Sequence, residues 1–343
     1  MTRKKINVAL QGGGAHGAFT WGALDVLLAD DRIEVAGISG TSAGALNGAA
    51  VKAGLAIGGE DDARENLDWL WGQVAGVQDM RMAQWMAPFG PAQVSQALEN
   101  SIPYAVGDAV GRMLSPYLYG PFYRNPLTDI VSKFNMEKVC CDDGPQLFIN
   151  ATRVRNGKLR VFKQAEVTPD AIMASACLPT LFQAVTVYDS ETGQDEEFWD
   201  GGYTGNPALF PLFDASLPDD IVVININPLE REQLPRSPQQ IQNRINEISF
   251  NSSLLREMRA ISFVKRLIDE GTIERGNMRR VNMHMIADDA LMNDLSVATK
   301  IVPNGFVMGR LRDAGARAAE EFLAAHFDRI GNGDSLNMPE MFS

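Results

Sequence analysis

The chain has 343 residues, 45% hydrophobic and 22% charged, with a formal net charge of −12. That apolar content over such a length fills a large core and excludes wholesale disorder. The acidic balance, with no block of Lys or Arg, excludes an ordinary nucleic-acid binder and strong attachment to anionic membranes, but leaves room for transient contact with a lipid surface. Cys140, Cys141 and Cys177 are odd in number and lack C-x-x-C spacing. They suit neither a disulfide framework nor a zinc site, so a reducing, cytoplasmic setting without a metal is expected. Arg3, Lys4 and Lys5 precede only a short apolar run, too short for a secretory signal, and no stretch of about 18 strongly apolar residues suggests a membrane span.

The first sixty residues alternate strand and helix signals. Ile6 to Leu10 reads as a buried strand ending in glycines, and Phe19, Ala23, Val26 and Leu27 recur at helical spacing in a helix ending near Asp30. Val35 to Ser39 reads as a second strand, and Ala43 to Lys52 as a helix of small residues. Such alternation with short connections implies a parallel sheet with helices on its faces. From about 72 to 123 the pattern is poor: Met80, Met82, Trp85, Met86, Phe89, Tyr104, Met113, Tyr117 and Tyr119 are scattered among Gly and Pro. This is an irregular insertion, packed on the core or serving as a lipid-contacting cap.

Strand signals return at Leu147 to Thr152 and Leu159 to Phe162, and the intervening Asn156-Gly157 marks a hairpin. Further strands are expected at Ala184 to Tyr188, at Glu197 to Trp199 and at Ile221 to Ile226, the last nearly all β-branched and therefore interior. After Pro235 comes a long amphipathic segment with Ile241, Ile245, Ile248, Leu255, Met258, Ile261, Val264 and Ile268 on one face and an expected break near Asn251. Val281 to Ile286 reads as a last strand and Gly305 to His326 as a closing helix. With no repeat or low-complexity linker, one domain is expected over residues 1–330, followed by a tail at 331–343.

Gly40-Thr41-Ser42-Ala43-Gly44 fits G-x-S-x-G where the second strand meets a helix. In that setting the pentapeptide reads as a nucleophile elbow, with Ser42 exposed on a sharp turn and positive potential from the helix N-terminus. Gln11-Gly12-Gly13-Gly14-Ala15-His16-Gly17 follows the first strand and opens the first helix. Its bare N–H groups suit an oxyanion, with the N–H of Ala43 as a further donor. Gly12, Gly14 and Gly17 also satisfy the G-x-G-x-x-G of dinucleotide-binding proteins, but that fingerprint wants an acidic residue closing the second strand, where Ser39 to Ser42 stand instead and Glu34 lies at the wrong end. Ser42 needs a base. Of three histidines, His16, His284 and His326, only His284 suits the chain order of an α/β-hydrolase triad, and it falls inside a strand signal.

Trp199-Asp200-Gly201-Gly202, with Asn206-Pro207 after it, resembles the D-G-[GA] motif of patatin-like phospholipases. The glycine loop and the elbow resemble that family's in content and order, as does Ala174-Ser175-Ala176-Cys177-Leu178-Pro179 with its A-S-x-x-x-P stretch. The resemblance runs from about residue 6 to 210 and implies a three-layer α/β/α sandwich around a central, mostly parallel sheet, as in bacterial members. It further implies hydrolysis of lipid acyl esters without metal or cofactor, by Ser42 as nucleophile and Asp200 as base, with Gly12, Gly13 and Gly14 as oxyanion loop. His16 departs from the Arg or Lys that many members carry after the glycines, which lessens the positive charge available to a phosphate head group. Besides a phospholipase A or esterase, the sequence is compatible with acyl transfer, with a dinucleotide-dependent oxidoreductase and with a non-catalytic lipid-binding module.

Overall fold

A computed structural model describes residues 3–76, 90–99, 101, 115–118, 123, 125–231, 234–236, 238–274, 276 and 278–341. Eight strands form one sheet: β1 (Lys4–Leu10), β2 (Ile33–Gly40), β3 (Gln146–Arg153), β4 (Leu159–Lys163), β5 (Val185–Asp189), β6 (Gln194–Asp200), β7 (Asp220–Ile224) and β8 (Asn282–Ile286). Their order is β5-β6-β3-β2-β1-β7-β8, with β4 also paired to β3. β1 runs parallel to its neighbours β2 and β7, β3 is parallel to β2 and β8 to β7. The strands β4, β5 and β6 add antiparallel pairings. The expected hairpin joins β3 to β4, with Gly157 at φ 66° donating its N–H to Arg153 O at 2.9 Å.

Helices α1 (Gly17–Ala29), α2 (Ala43–Ile57), α3 (Glu60–Gly76), α4 (Pro169–Ser175), α5 (Pro238–Asp269), α6 (Val297–Ile301) and α7 (Gly305–His326) complete the frame in chain order. Every residue of β7 and the last five of β1 are buried, as strands covered on both faces must be. Their side chains alternate between two apolar layers. Val8, Leu10, Val222 and Ile224 join Phe19, Leu24, Leu67 and Leu311 on one face. Ala9, Ile221 and Val223 join Leu209, Leu254 and Met258 on the other. The molecule is thus a mostly parallel sheet between two helical layers.

Some elements depart from the sequence reading. α5 runs unbroken through Asn251, because that side chain reaches sideways into the sheet edge and donates to Pro228 O at 3.1 Å, leaving the helical bonds intact. Of its expected amphipathic stripe, Met258, Ile261 and Ile268 are buried and Leu255 and Val264 half-buried, while Ile241, Ile245 and Ile248 are exposed. Asn251 sits level with the ends of β1 and β7, so the turns before it stand beyond the sheet and have no core to face. The helix α3 and a helix at Pro91–Glu99 were not foreseen. Of the aromatics and methionines assigned to the insertion, Tyr117 is exposed and the other eight lie outside the described residues. The segment read as a tail packs on the sheet: Asp334 accepts from Lys265 at 2.6 Å and from Met283 N at 2.7 Å, and Met338 is buried. No helix among the described residues is long and apolar enough to cross a membrane.

The crossing of α1 and α7 is backbone against backbone. A Cβ on Gly22 would lie 1.9 Å from Arg312 O, and one on Gly315 would lie 1.9 Å from Phe19 O. Gly315→Val is therefore expected to destabilise the fold by about 1–3 kcal/mol or more through overpacking. Urea unfolding checks it, and an unchanged midpoint would mean the two helices do not touch so closely.

Candidate active site

The strands β1 and β2 end side by side, and each runs into a turn at the N-terminus of a helix. After β2 the chain turns so sharply that Ser42 adopts φ 55°, ψ −120°, a conformation L-residues rarely hold. Two close approaches make the turn possible. A Cβ on Gly44 would lie 2.1 Å from Leu10 O, and one on Gly12 would lie 2.7 Å from Ser42 Cβ. The glycine loop and the elbow therefore pack main chain to main chain.

Buried hydrogen bonds hold the strained residue. Ser42 N donates to Ser175 Oγ at 2.9 Å, and Ser175 in turn donates to Asn150 O at 2.7 Å. Asn150 Nδ2 reaches Ser39 Oγ, Gly40 O and Thr41 Oγ1 at 3.1 to 3.3 Å. Strain at a single residue persists only when its surroundings over-determine it.

Asp200 closes β6 and is wholly buried. Its Oδ1 accepts the Gly202 N–H at 2.8 Å, while Oδ2 has no hydrogen-bond partner among the described residues. Burial raises its pKa to about 7, opposed by the Gly202 N–H and by the nearby Ser42 hydroxyl. The sequence-predicted pair, 158 positions apart in number, thus meets at one point. Gly201 must lack a side chain, since a Cβ there would lie 2.1 Å from Asn150 O.

From Asp200 the chain is laid across the ends of the parallel strands. Thr41 Oγ1 donates to Gly205 O at 2.7 Å and Ser39 Oγ to Ala208 O at 2.6 Å. Asn206 Oδ1 receives the Gly12 N–H at 2.6 Å. Hence the Gly12 donor is already engaged. The N–H groups of Gly13, Gly14 and Ala43 have no partner among the described residues.

The histidines are brought elsewhere. His16 is buried with Nε2 2.8 Å from Thr299 Oγ1, and burial, helped by Lys300 and Arg231, pushes its pKa well below 6.5, so the ring is neutral. His284, in the middle of β8, bonds Asp220 Oδ1 and Ser335 Oγ, both at 3.0 Å. His326 lies tilted against the Phe322 ring at the end of α7. Glu34 opens β2 and pairs with Lys5 at 2.8 Å, at the far end of the sheet from the glycine loop.

Sequence reasoning passed over several residues that build this site. Ser175, Asn206 and Gln11 stood inside the quoted motifs without a role, while Asn150, Asn227 and Asn251 lie in no motif and carry no pattern of their own. Gln11 Oε1 accepts from the N–H groups of Ile226 and Asn227, and Gln11 Nε2 donates to Asn251 Oδ1. These bonds join the loop after β1 to the segment after β7.

A family model described as patatin-like phospholipase matches residues 8–215. Among solved structures, the chain is similar to the crystal structure of VipD from Legionella pneumophila, with 16% identity, a TM-score of 0.42, and coverage of 94% of this chain and 67% of that one. No curated protein matches it.

Two outcomes follow from the buried bonds and the buried acid. Ser175→Ala strands the Ser42 N–H and the Asn150 carbonyl, which is expected to cost about 1–3 kcal/mol in urea unfolding. For Asp200 the folded pKa exceeds the unfolded one, so its ionisation destabilises the fold progressively from about pH 4 to about 7 and by a constant amount above. Asp200→Asn should therefore raise the melting temperature at pH 8 and leave it nearly unchanged at pH 4. An equal shift at both values would mean that the carboxyl is not strained by burial.

Proposed function

The chain belongs to the patatin-like phospholipase family, and on that premise we propose that it is a serine lipid-acyl hydrolase of phospholipase A or esterase type. One observation carries the reading: a strained Ser42 at the N-terminus of α2 lies beside a wholly buried carboxyl with an unpartnered oxygen. The nucleophile would be Ser42 and the general base Asp200. The oxyanion donors would be the N–H groups of Gly13, Gly14 and Ala43, with Gly12 as the anchored foot of the loop rather than a donor.

The steps follow from these groups. Ser42 Oγ attacks the ester carbonyl while its proton passes to the free oxygen of Asp200. Negative charge develops on the carbonyl oxygen, facing amides and the N-terminal end of α2. Collapse expels the alcohol, which takes the proton from Asp200 and leaves an acyl group on Ser42. Water then enters, gives its proton to Asp200, and attacks the acyl carbon; the second collapse frees the fatty acid and returns the proton to Ser42. A carboxylate with pKa near 4 would be a feeble base for an alcohol, whereas burial to about 7 narrows the gap and still leaves about half of the groups ionised at neutral pH.

The dinucleotide alternative is disfavoured by Glu34, which is spent on Lys5 at the opposite sheet edge. A histidine triad is disfavoured by the commitment of His284 to Asp220 and Ser335. Free thiols at Cys140, Cys141 and Cys177 support a reducing, cytoplasmic setting, with lipid reached by transient contact with a membrane surface.

A fluorophosphonate should label the protein once, on Ser42, and Ser42→Ala should abolish both labelling and release of p-nitrophenol from an acyl ester. Asp200→Ala should lower kcat by about 10³-fold or more, while His284→Ala keeps much of the turnover per folded molecule. The reverse pattern would restore the histidine. In wild type, kcat/KM should fall about tenfold per pH unit below about 7 as Asp200 takes up its proton. A rate still flat at pH 5 would rule Asp200 out as the base.

A further inference from the structure

None of the steps above uses Lys300, a partly buried cation on α6 directly behind the glycine loop. The loop and α6 are fitted to each other. Gly14 has φ +58°, and a Cβ on it would lie 2.3 Å from Lys300 O, so glycine is required on both counts. One residue earlier on α6, Thr299 Oγ1 meets His16 Nε2. Any shift of α6 therefore moves the loop.

The ammonium reaches the loop by a second route. Lys300 Nζ donates to Asn227 Oδ1 at 2.8 Å, and Asn227 Nδ2 donates to Gly12 O at 2.8 Å and to Gln11 Oε1 at 3.1 Å. The carbonyl of Gly12 and the N–H of Gly13 belong to one peptide unit. A hydrogen bond to that carbonyl draws electron density from the amide nitrogen, so the Gly13 N–H becomes a stronger donor, and a charge at the head of such a chain strengthens each link. The chain runs from ammonium to side-chain amide to peptide, ending on an N–H with no partner among the described residues.

We propose that Lys300 is a positioning residue for ester cleavage: acting through the Asn227 amide, it fixes and polarises the Gly12–Gly13 peptide so that the Gly13 N–H is aimed and strengthened as an oxyanion donor. The proposal rests on the hydrolase reading above. Among the described residues, three other titratable or charged groups face Lys300. Glu247, buried on α5, favours its charge, Arg231 after β7 opposes it, and His16 on the loop is neutral. Burial dominates and lowers the Lys300 pKa to about 8. The residue is therefore cationic below about pH 8 and loses its charge above it, so the donor weakens as pH rises through that value.

The test is the pH profile of p-nitrophenyl butyrate hydrolysis between pH 6 and about 10 for wild type, Lys300→Met and Lys300→Arg, with melting temperatures taken alongside. Wild type should show an alkaline limb near pH 8 besides the acid limb of Asp200. Lys300→Met should lower kcat about tenfold at pH 7.5 with KM within about twofold, and abolish the alkaline limb while keeping the acid one. Lys300→Arg, which keeps the charge, should retain most of kcat and move the alkaline limb beyond the measured range; it carries the test if the Met variant does not fold. An alkaline limb that survives in either variant, or kcat of Lys300→Met within about twofold of wild type, overturns the proposal. Fluorophosphonate labelling of wild type in the same experiment separates the two readings: if Ser42 takes no label, the hydrolase assignment fails, independently of Lys300.

Discussion

The site depends on keeping a carboxyl group dry beside a strained hydroxyl residue. Asp200 lies on the last residue of β6, with one oxygen tied to Gly202 and the other facing the Ser42 turn. Water would satisfy that second oxygen and return the group to ordinary acidity. Main chain packed on main chain helps to keep water out: Gly12, Gly44 and Gly201 each bring a backbone within the reach of another. The buried carboxyl and the tight glycine packing are two aspects of one arrangement.

A layer of neutral amides supports that arrangement. Gln11, Asn150, Asn206, Asn227 and Asn251 are all buried, and each spans two segments distant in sequence. Amides can donate and accept at once without carrying charge into the core, so they cross-link turns at less desolvation cost than ion pairs. A dense group of buried ion pairs lies elsewhere, where Arg153 and Arg160 converge on the buried Asp189 at the end of β5.

How much of this was legible in the sequence varied with the kind of signal. The strands were readable because parallel strands covered on both sides must be short runs of apolar residues, as in β1 and β7. Ser42, Asp200 and the glycine loop were readable because close backbone approach restricts residue choice to glycine at fixed offsets, which leaves a pattern. The engagement of Gly12 by Asn206 was not, since a side chain that caps a loop from 194 residues away has no spacing to betray it. The stripe on α5 was over-read for a similar reason: helical periodicity reports that one face is apolar, but not where along the helix the core stops. Asn251 suggested a break because polar residues interrupt apolar patterns, and only the position of Gln11 and Pro228 turns it into a cross-link.

The segment from Asp200 to Ala208 crosses the ends of three adjacent strands, touching β3 through Gly201, β2 through Thr41 and Ser39, and the loop after β1 through Asn206. The Asp200 carboxyl and the glycine loop are thereby measured against each other by a single short piece of chain. Insertions or deletions there would alter both at once, and substitutions within it should behave non-additively.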